Sequence, residues 1–279
     1  MRLLKSHGLG NDYLVLHDAT VAEPALIRAL CDRHKGLGSD GLLVRESTSD
    51  ADYGLRIFNP DGSEAEKSGN GIRIFARYLV DHCGAPTEFT LHTRGGVVRC
   101  DVGPLEVVVD MGKASFKPAD VPCRLDVDEV VDQVVQAAGE TFKFTAVGLG
   151  NPHCVIFRDE ALLDAIRWRR WGPILEVHPL FPNRTNVQFA RIKGRQLIDT
   201  RIWERGVGPT SASGSSACAV AAAAVRTGRC PHGEIRIRMP GGVLSVQVAD
   251  DWSLRLRGPV EEIGWLEPSA GWLASRTPP

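Results

Sequence analysis

No apolar stretch in this chain approaches the ~20 residues that a bilayer-spanning helix needs, so no membrane segment is expected. The first residues, MRLLKSHGLGND, lack the apolar core and small-residue cleavage site of a secretory signal. The seven cysteines (31, 83, 100, 123, 154, 218 and 230) include no CxxC pair. An odd count without that spacing argues against a disulfide framework and against a zinc site. A reducing, cytoplasmic compartment and no bound metal are therefore expected. A charge excess is missing too. Lys and Arg total 33 against 34 for Asp and Glu, a net charge of −1, which gives no electrostatic case for nucleic acid or a membrane surface. The run GLGND is not a GxGxxG fingerprint, so nucleotide binding is rejected there. Hydrophobic content of 43% and charged content of 24% are those of an ordinary globular protein. A chain of 279 residues suits two domains rather than one small core.

The sequence is also duplicated. Arg56–Leu79, RIFNPDGSEAEKSGNGIRIFARYL, is matched by Arg201–Val225, RIWERGVGPTSASGSSACAVAAAAV. Ser68-Gly69-Asn70 begins twelve residues after Arg56, and Ser213-Gly214-Ser215 twelve after Arg201. Gly8-Leu9-Gly10-Asn11 recurs at 148–151, and Gly95-Gly96-Val97-Val98 as Gly241-Gly242-Val243-Leu244. The offsets of 140, 145 and 146 residues need only small loop changes. Two similar domains about a pseudo-twofold axis follow, with boundaries expected at 1–114 and 115–259. Residues 260–279 form a tail, of which Val260–Trp265 could return to the first domain. The expected class is α+β: two pseudo-symmetric domains, each a mostly antiparallel, barrel-like sheet around a central helix.

In order, strands are expected at Leu3–Lys5 and Tyr13–His17 around a glycine turn at His7–Asp12. Pro24–His34 has helical spacing. Gly41–Arg45 and Leu55–Phe58 read as strands, Asp61-Gly62 as a turn, and Gly69–His82 as a helix. Thr87–Arg94, Gly96–Val102 and Leu105–Met111 read as a meander. After a proline-bearing crossover at Lys113–Arg124, Glu129–Ala138 reads as a short helix. Strands are expected at Phe142–Val147, Cys154–Phe157, Thr185–Arg191, Arg201–Trp203, Glu234–Arg238, Gly242–Val248 and Leu254–Arg257. Helices are expected at Ala161–Trp168 and Gly214–Thr227.

Ser68 and Ser213 precede the two repeated helices. A serine there can simply be an N-cap. The same helix start offers free N–H groups and partial positive charge, a seat for a carboxylate. Asn11 and Asn151 are repeat partners at glycine turns, with His153 two residues beyond Asn151. Asn59 and Glu204 are partners at strand ends, and Arg205 follows Glu204. A Glu–Arg pair can be a surface ion pair of little value. In a cleft, Glu would bind an ammonium and Arg a carboxylate through two parallel hydrogen bonds. Such a set, with two helix starts, suits a small zwitterion with two charged ends.

The ordered series HGLGND (7–12), RHKGLGSDG (33–41), FNPDGSEAEKSGNGIR (58–73), GNPHCVIF (150–157), NVQF (186–189) and WERGVGPTSASGSSACA (203–219) resembles the diaminopimelate epimerase family nearly end to end. The resemblance implies a cytoplasmic homodimeric isomerase that racemises or epimerises an amino acid without pyridoxal phosphate or any other cofactor. It implies substrate contacts at Asn11, Asn59, Gly69, Asn70, Asn151, Asn186, Glu204, Arg205, Gly214 and Ser215, and a histidine beside the site at His153. In the family, two cysteine thiols stand before the two helices. One takes the α-proton and the other returns one to the opposite face.

Here both thiol positions are serine, Ser68 and Ser213. Pro209 stands where the family has Glu, and Ser216 where it has a small Gly. Cys154 and Cys218 match positions that are not catalytic in the family. A thiol ionises near pH 8.5 and a helix start lowers that further. A hydroxyl is far harder to ionise, and a helix dipole worth ~1–2 kcal/mol does not close the gap. His153, then Glu204, are the expected bases. The first expectation is a diaminopimelate epimerase-like isomerase. The alternatives are a lyase or cyclase using the same pocket, or an inactive amino-acid-binding relative.

Overall fold

The computed structural model describes residues 1–17, 23–158 and 167–276. The chain divides into two compact units, Met1–Val109 with Gly258–Pro279, and Asp110–Arg257.

The first unit begins with the hairpin β1 (Leu3–Gly8) and β2 (Asn11–Leu16). Its two-residue loop puts Leu9 at φ 57° and Gly10 at φ 86°, the left-handed pair that closes a twisted hairpin. Helix α1 (Pro24–Cys31) leads to β3 (Leu42–Glu46), which runs parallel to β2. The helix stops three residues before the expected His34, because Asp32 turns the chain out. Its Oδ1 accepts from the His34 and Lys35 amides, each at 2.8 Å. Strand β4 (Tyr53–Phe58) is antiparallel to β3 and to the two-residue β5 (Glu64–Ala65). Helix α2 (Gly69–Cys83) crosses to β6 (Glu88–Thr93), parallel to β4, and β7 (Gly96–Val102) and β8 (Glu106–Lys113) complete an antiparallel meander. The strand Glu261–Leu266 pairs antiparallel with β1. Leu26, Ile27 and Leu30 of α1 join Leu3, Leu14, Leu16, Leu42 and Phe58 of the sheet in one core cluster.

The second unit opens on a strand where a helix is expected. Residues 129–138 hold β9 (Gln133–Ala137), antiparallel to β10 (Glu140–Gly148). Val135 and Ala137 face the core while Val134 and Gln136 face out, a period of two. Ala138 and Gly139, at φ 54° and 78°, make the tight turn that a helix would not contain. From β10 the topology of the first unit recurs. β11 (Pro152–Phe157) is antiparallel to β10 and parallel to β12 (Asn186–Gly194); between them lies α3 (Arg167–Glu176). The helix expected at Ala161–Trp168 falls on 161–166, outside the described residues, except for its last two positions, which open α3. β13 (Leu197–Glu204) pairs with β12, with β14 (Gly208–Thr210), and in parallel with β15 (Gly233–Met239), reached through α4 (Gly214–Arg226). β16 (Gly242–Val248) and β17 (Ser253–Pro259) close the meander; Glu261–Leu266 is β18.

Each unit is thus a curled, mostly antiparallel sheet around one long helix, with parallel joins at the same two places. Helix α4 shows why. From Ala217 to Ala224 every residue is fully buried, so the helix is apolar all round, and alanines let the strands of β10–β13, β15 and β16 approach closely. Helix α2 buries Ile72, Phe75, Ala76 and Leu79, together with Arg73.

Candidate active site

In the first unit the start of α2 is the focus. Ser68 has extended backbone, and its Oγ accepts the Gly71 amide at 3.1 Å, an N-cap. The same Oγ lies 3.0 Å from the Tyr13 hydroxyl. Asn70 donates from Nδ2 to Asn11 Oδ1 at 2.9 Å, and Asn11 donates to Asp40 Oδ2 at 2.9 Å. The buried Arg73 donates to the Gly69 carbonyl at 3.1 Å and to Asn70 Oδ1 at 2.9 Å. Asp40 also takes the Asp12 amide, and Arg33 bridges Asp40 and Asp12, both at 2.6 Å, with Lys5 on Asp12 at 3.1 Å. Burial raises the Asp12 pKa, but Arg33 and Lys5 outweigh it and hold the carboxyl below its usual range. Asn11, Ser68, Gly69 and Asn70 are therefore gathered at one helix start. Asn59 sits at the end of β4 and donates to Ser63 Oγ at 3.0 Å.

In the second unit Ser213 repeats the cap on α4, accepting the Ser216 amide at 3.5 Å, with Ser215 Oγ also at 3.5 Å. His153 is fully buried. Its Nε2 meets Asn151 Oδ1 at 2.9 Å, and its Nδ1 meets Gln188 Nε2 at 3.0 Å. Gln188 Nε2 also donates to Ser216 Oγ at 3.0 Å. With Gln188 donating to Nδ1, the ring proton resides on Nε2 and is given to Asn151. Asn186 joins two neighbours, donating to the Pro152 carbonyl and accepting the Arg205 amide, both at 2.9 Å. Glu204 ends β13, and its carbonyl accepts the Val207 amide at 3.1 Å. Arg205 donates from its guanidinium to the Asn183 carbonyl at 3.3 Å.

Burial, then the positive charge of Arg205, push His153 down to about 3. The free imidazole value is ~6.5, so the unfolded chain takes up this proton first. The stability it contributes is whole above ~6.5 and is lost as pH falls toward about 3. With ¹⁵N-labelled histidine we expect one ring held as the neutral Nε2–H tautomer down to roughly pH 4. A His153 ring titrating near the free value would remove this assignment. With both nitrogens engaged, His153 orients Asn151 rather than offering a lone pair as a base.

Neither Cys154 nor Cys218 supplies an alternative thiolate. Both are fully buried, and burial pushes the Cys154 thiol far up. Sequence reasoning does not single out Tyr13, which meets Ser68, Gln188, which meets His153, or Glu176 and Trp203, which hydrogen-bond at 2.7 Å beside Glu204. Gln188 left a signal, being polar inside the apolar strand Asn186–Ala190, where a buried amide needs partners. Among the described residues no group of three or more His, Cys, Asp or Glu is placed to hold a metal, and no helix is long and apolar enough to cross a membrane.

The family model described as diaminopimelate epimerase matches residues 3–117 and 145–262. The chain belongs to the diaminopimelate epimerase family. The diaminopimelate epimerase of Desulforudis audaxviator is 43% identical, over 94% of this chain and 97% of that one. Diaminopimelate epimerase 2 of Nostoc sp. is 44% identical, over 99% of both. Among solved structures, a probable proline racemase from Agrobacterium radiobacter K84 superposes with a TM-score of 0.71 at 17% identity, over 96% of this chain and 93% of that one. That likeness shows the fold alone. Membership assigns this diaminopimelate epimerase-like chain to the isomerases.

Proposed function

We propose that the chain acts at the α-carbon of an amino acid with a second charged end, of the diaminopimelate class, without pyridoxal phosphate. The observation that carries the reading is the pair of serine-capped helix starts, each hydroxyl drawn back onto its own helix N–H at repeat-equivalent positions. In this reading Ser68 and Ser213 occupy the family's thiol positions. Gly69, Asn70, Gly214 and Ser215 receive carboxylate charge. Asn11, Asn59, Asn151 and Asn186 supply amide contacts, Glu204 takes the ammonium and Arg205 the distal carboxylate. His153 is a positioning residue. The reading also has a cytoplasmic homodimer, which light scattering on the purified chain tests.

Slow turnover follows from the hydroxyls, so binding is the first measurement. Titration calorimetry with diaminopimelate is expected to show a one-site isotherm that Arg205→Ala weakens by about tenfold or more, the worth of a charge-assisted hydrogen bond. Equal dissociation constants would remove Arg205 from the site. No heat with diaminopimelate, against a clear isotherm for another amino acid, would move the reading to that substrate.

A further inference from the structure

We propose that Tyr13 and Ser68 form a proton relay for the substrate's α-proton, a device the second unit does not repeat; this rests on the isomerase reading above. The Tyr13 and Ser68 hydroxyl oxygens are 3.0 Å apart, and either can donate. Ser68 Oγ also holds the Gly71 N–H. A hydroxyl has one proton and two lone pairs. With one lone pair on Gly71, Ser68 can give its proton to Tyr13 and receive another on the second pair.

A phenol ordinarily ionises near 10, far more readily than a serine hydroxyl. The relay begins with Tyr13 as phenolate. The Cα–H bond breaks and an O–H bond forms at Ser68, while the Ser68 O–H bond breaks and an O–H bond forms at Tyr13. The electron pair stays on Cα as the carbanion, and the negative charge has moved from phenolate to substrate. No other reactant is needed.

The Tyr13 ring packs against Gly41. It lies where a side chain at position 41 would project: a Cβ on Gly41 would come 2.6 Å from Tyr13 Cε1. The repeat-equivalent residue, His153, contacts Gln188 and through it Ser216, not Ser213. Ser213 has Ser215 Oγ and the Ser216 amide as neighbours, both at 3.5 Å. Proton transfer is therefore carried on one side, and solvent deuterium should enter the substrate faster than the stereocentre inverts.

The test is diaminopimelate exchange in heavy water from pH 6 to 11, with calorimetry alongside. Tyr13→Phe keeps the ring seat and is expected to bind like the wild type, to lose about a hundredfold in exchange rate, and to lose the inflection of the pH profile. Global 3-fluorotyrosine, whose phenol is more acidic, should move the inflection to lower pH in the wild type and do nothing in Tyr13→Phe. This arm decides the matter even if Tyr13→Phe folds poorly. Wild-type rate and profile in the variant, or an unmoved inflection with fluorotyrosine, overturn the relay. So does a wild type that binds diaminopimelate without exchanging it. A wild type that does not bind at all removes the proposed substrate and the relay with it, and calorimetry tells the two failures apart.

Discussion

Replacing both helix-start serines, Ser68→Cys with Ser213→Cys, should raise α-proton exchange on diaminopimelate by at least about a hundredfold over the wild type. The α-proton of an amino acid is a very weak acid, so the step needs a competent base and charge stabilisation together. In the proposed reading the helix starts supply the stabilisation, and the caps on Gly71 and Ser216 place each Oγ at a helix start. What the hydroxyls lack is a usable conjugate base. A thiol brings its pKa to ~8.5 before any help from the helix. The exchange rate of the double variant should climb through pH 7 to 9 and then level. One thiol alone should exchange without inverting, because inversion needs a donor on the opposite face of the carbon from the base. The exchanged caps should cost about 1 kcal/mol each in stability, which thermal melting reads. A double variant that is folded and binds diaminopimelate, yet exchanges no faster than wild type, would show a site rebuilt for another reaction.

The duplication was visible because glycine turns and helix starts are short-range features with fixed residue demands. The Leu9-Gly10 turn and the SGN and SGS helix starts are examples; the parallel joins come from the helical crossovers, with α1 between β2 and β3, α2 between β4 and β6, α3 between β11 and β12, and α4 between β13 and β15. Helix α2 is legible from apolar spacing that persists over three turns or more, and α4 from its Ser-Gly start and unbroken run of helix-forming alanines. Glu129–Ala138 is ambiguous because its valines at 130, 131, 134 and 135 fit either period. Only the left-handed Ala138-Gly139 pair, and a partner strand later in the chain, decide it.

Of the candidate site, residues at helix starts and strand ends could be named in advance, but their partners could not. His153 reads from sequence as a base. Its surroundings, Gln188 from the neighbouring parallel strand and complete burial, make it a neutral orienting ring. Tyr13 reads as a strand residue, and its contact with Ser68 spans 55 positions of sequence. Side-chain networks that join distant segments leave no local pattern to read.

Glu176 is the clearest such partner, and Glu176→Ala should cost the second unit about 2–4 kcal/mol. It is the last residue of α3, and its side chain is 6% exposed. Its carboxylate accepts the Trp203 indole N–H at 2.7 Å and the Gly206 amide at 2.8 Å, and pairs with Arg184. Those two donors bracket Glu204 and Arg205, so one carboxylate holds the turn that presents both. The Trp203 ring in turn presses on Gly172, where a Cβ would come 2.6 Å from it. Removing the carboxylate leaves two donors without their acceptor, which is where the cost arises. Arg184 contributes less: its side chain is 51% exposed and can be solvated, so Arg184→Ala should cost under about 1 kcal/mol. Glu176→Gln should fall between, since its NH₂ must face one of the two donors. Urea unfolding of the three variants gives the order, and calorimetry should show diaminopimelate binding weakened in Glu176→Ala as the Arg205 backbone loosens. If Arg184→Ala costs as much as Glu176→Ala, the carboxylate is merely half of an ion pair, and its hold on the Glu204–Arg205 turn is refuted.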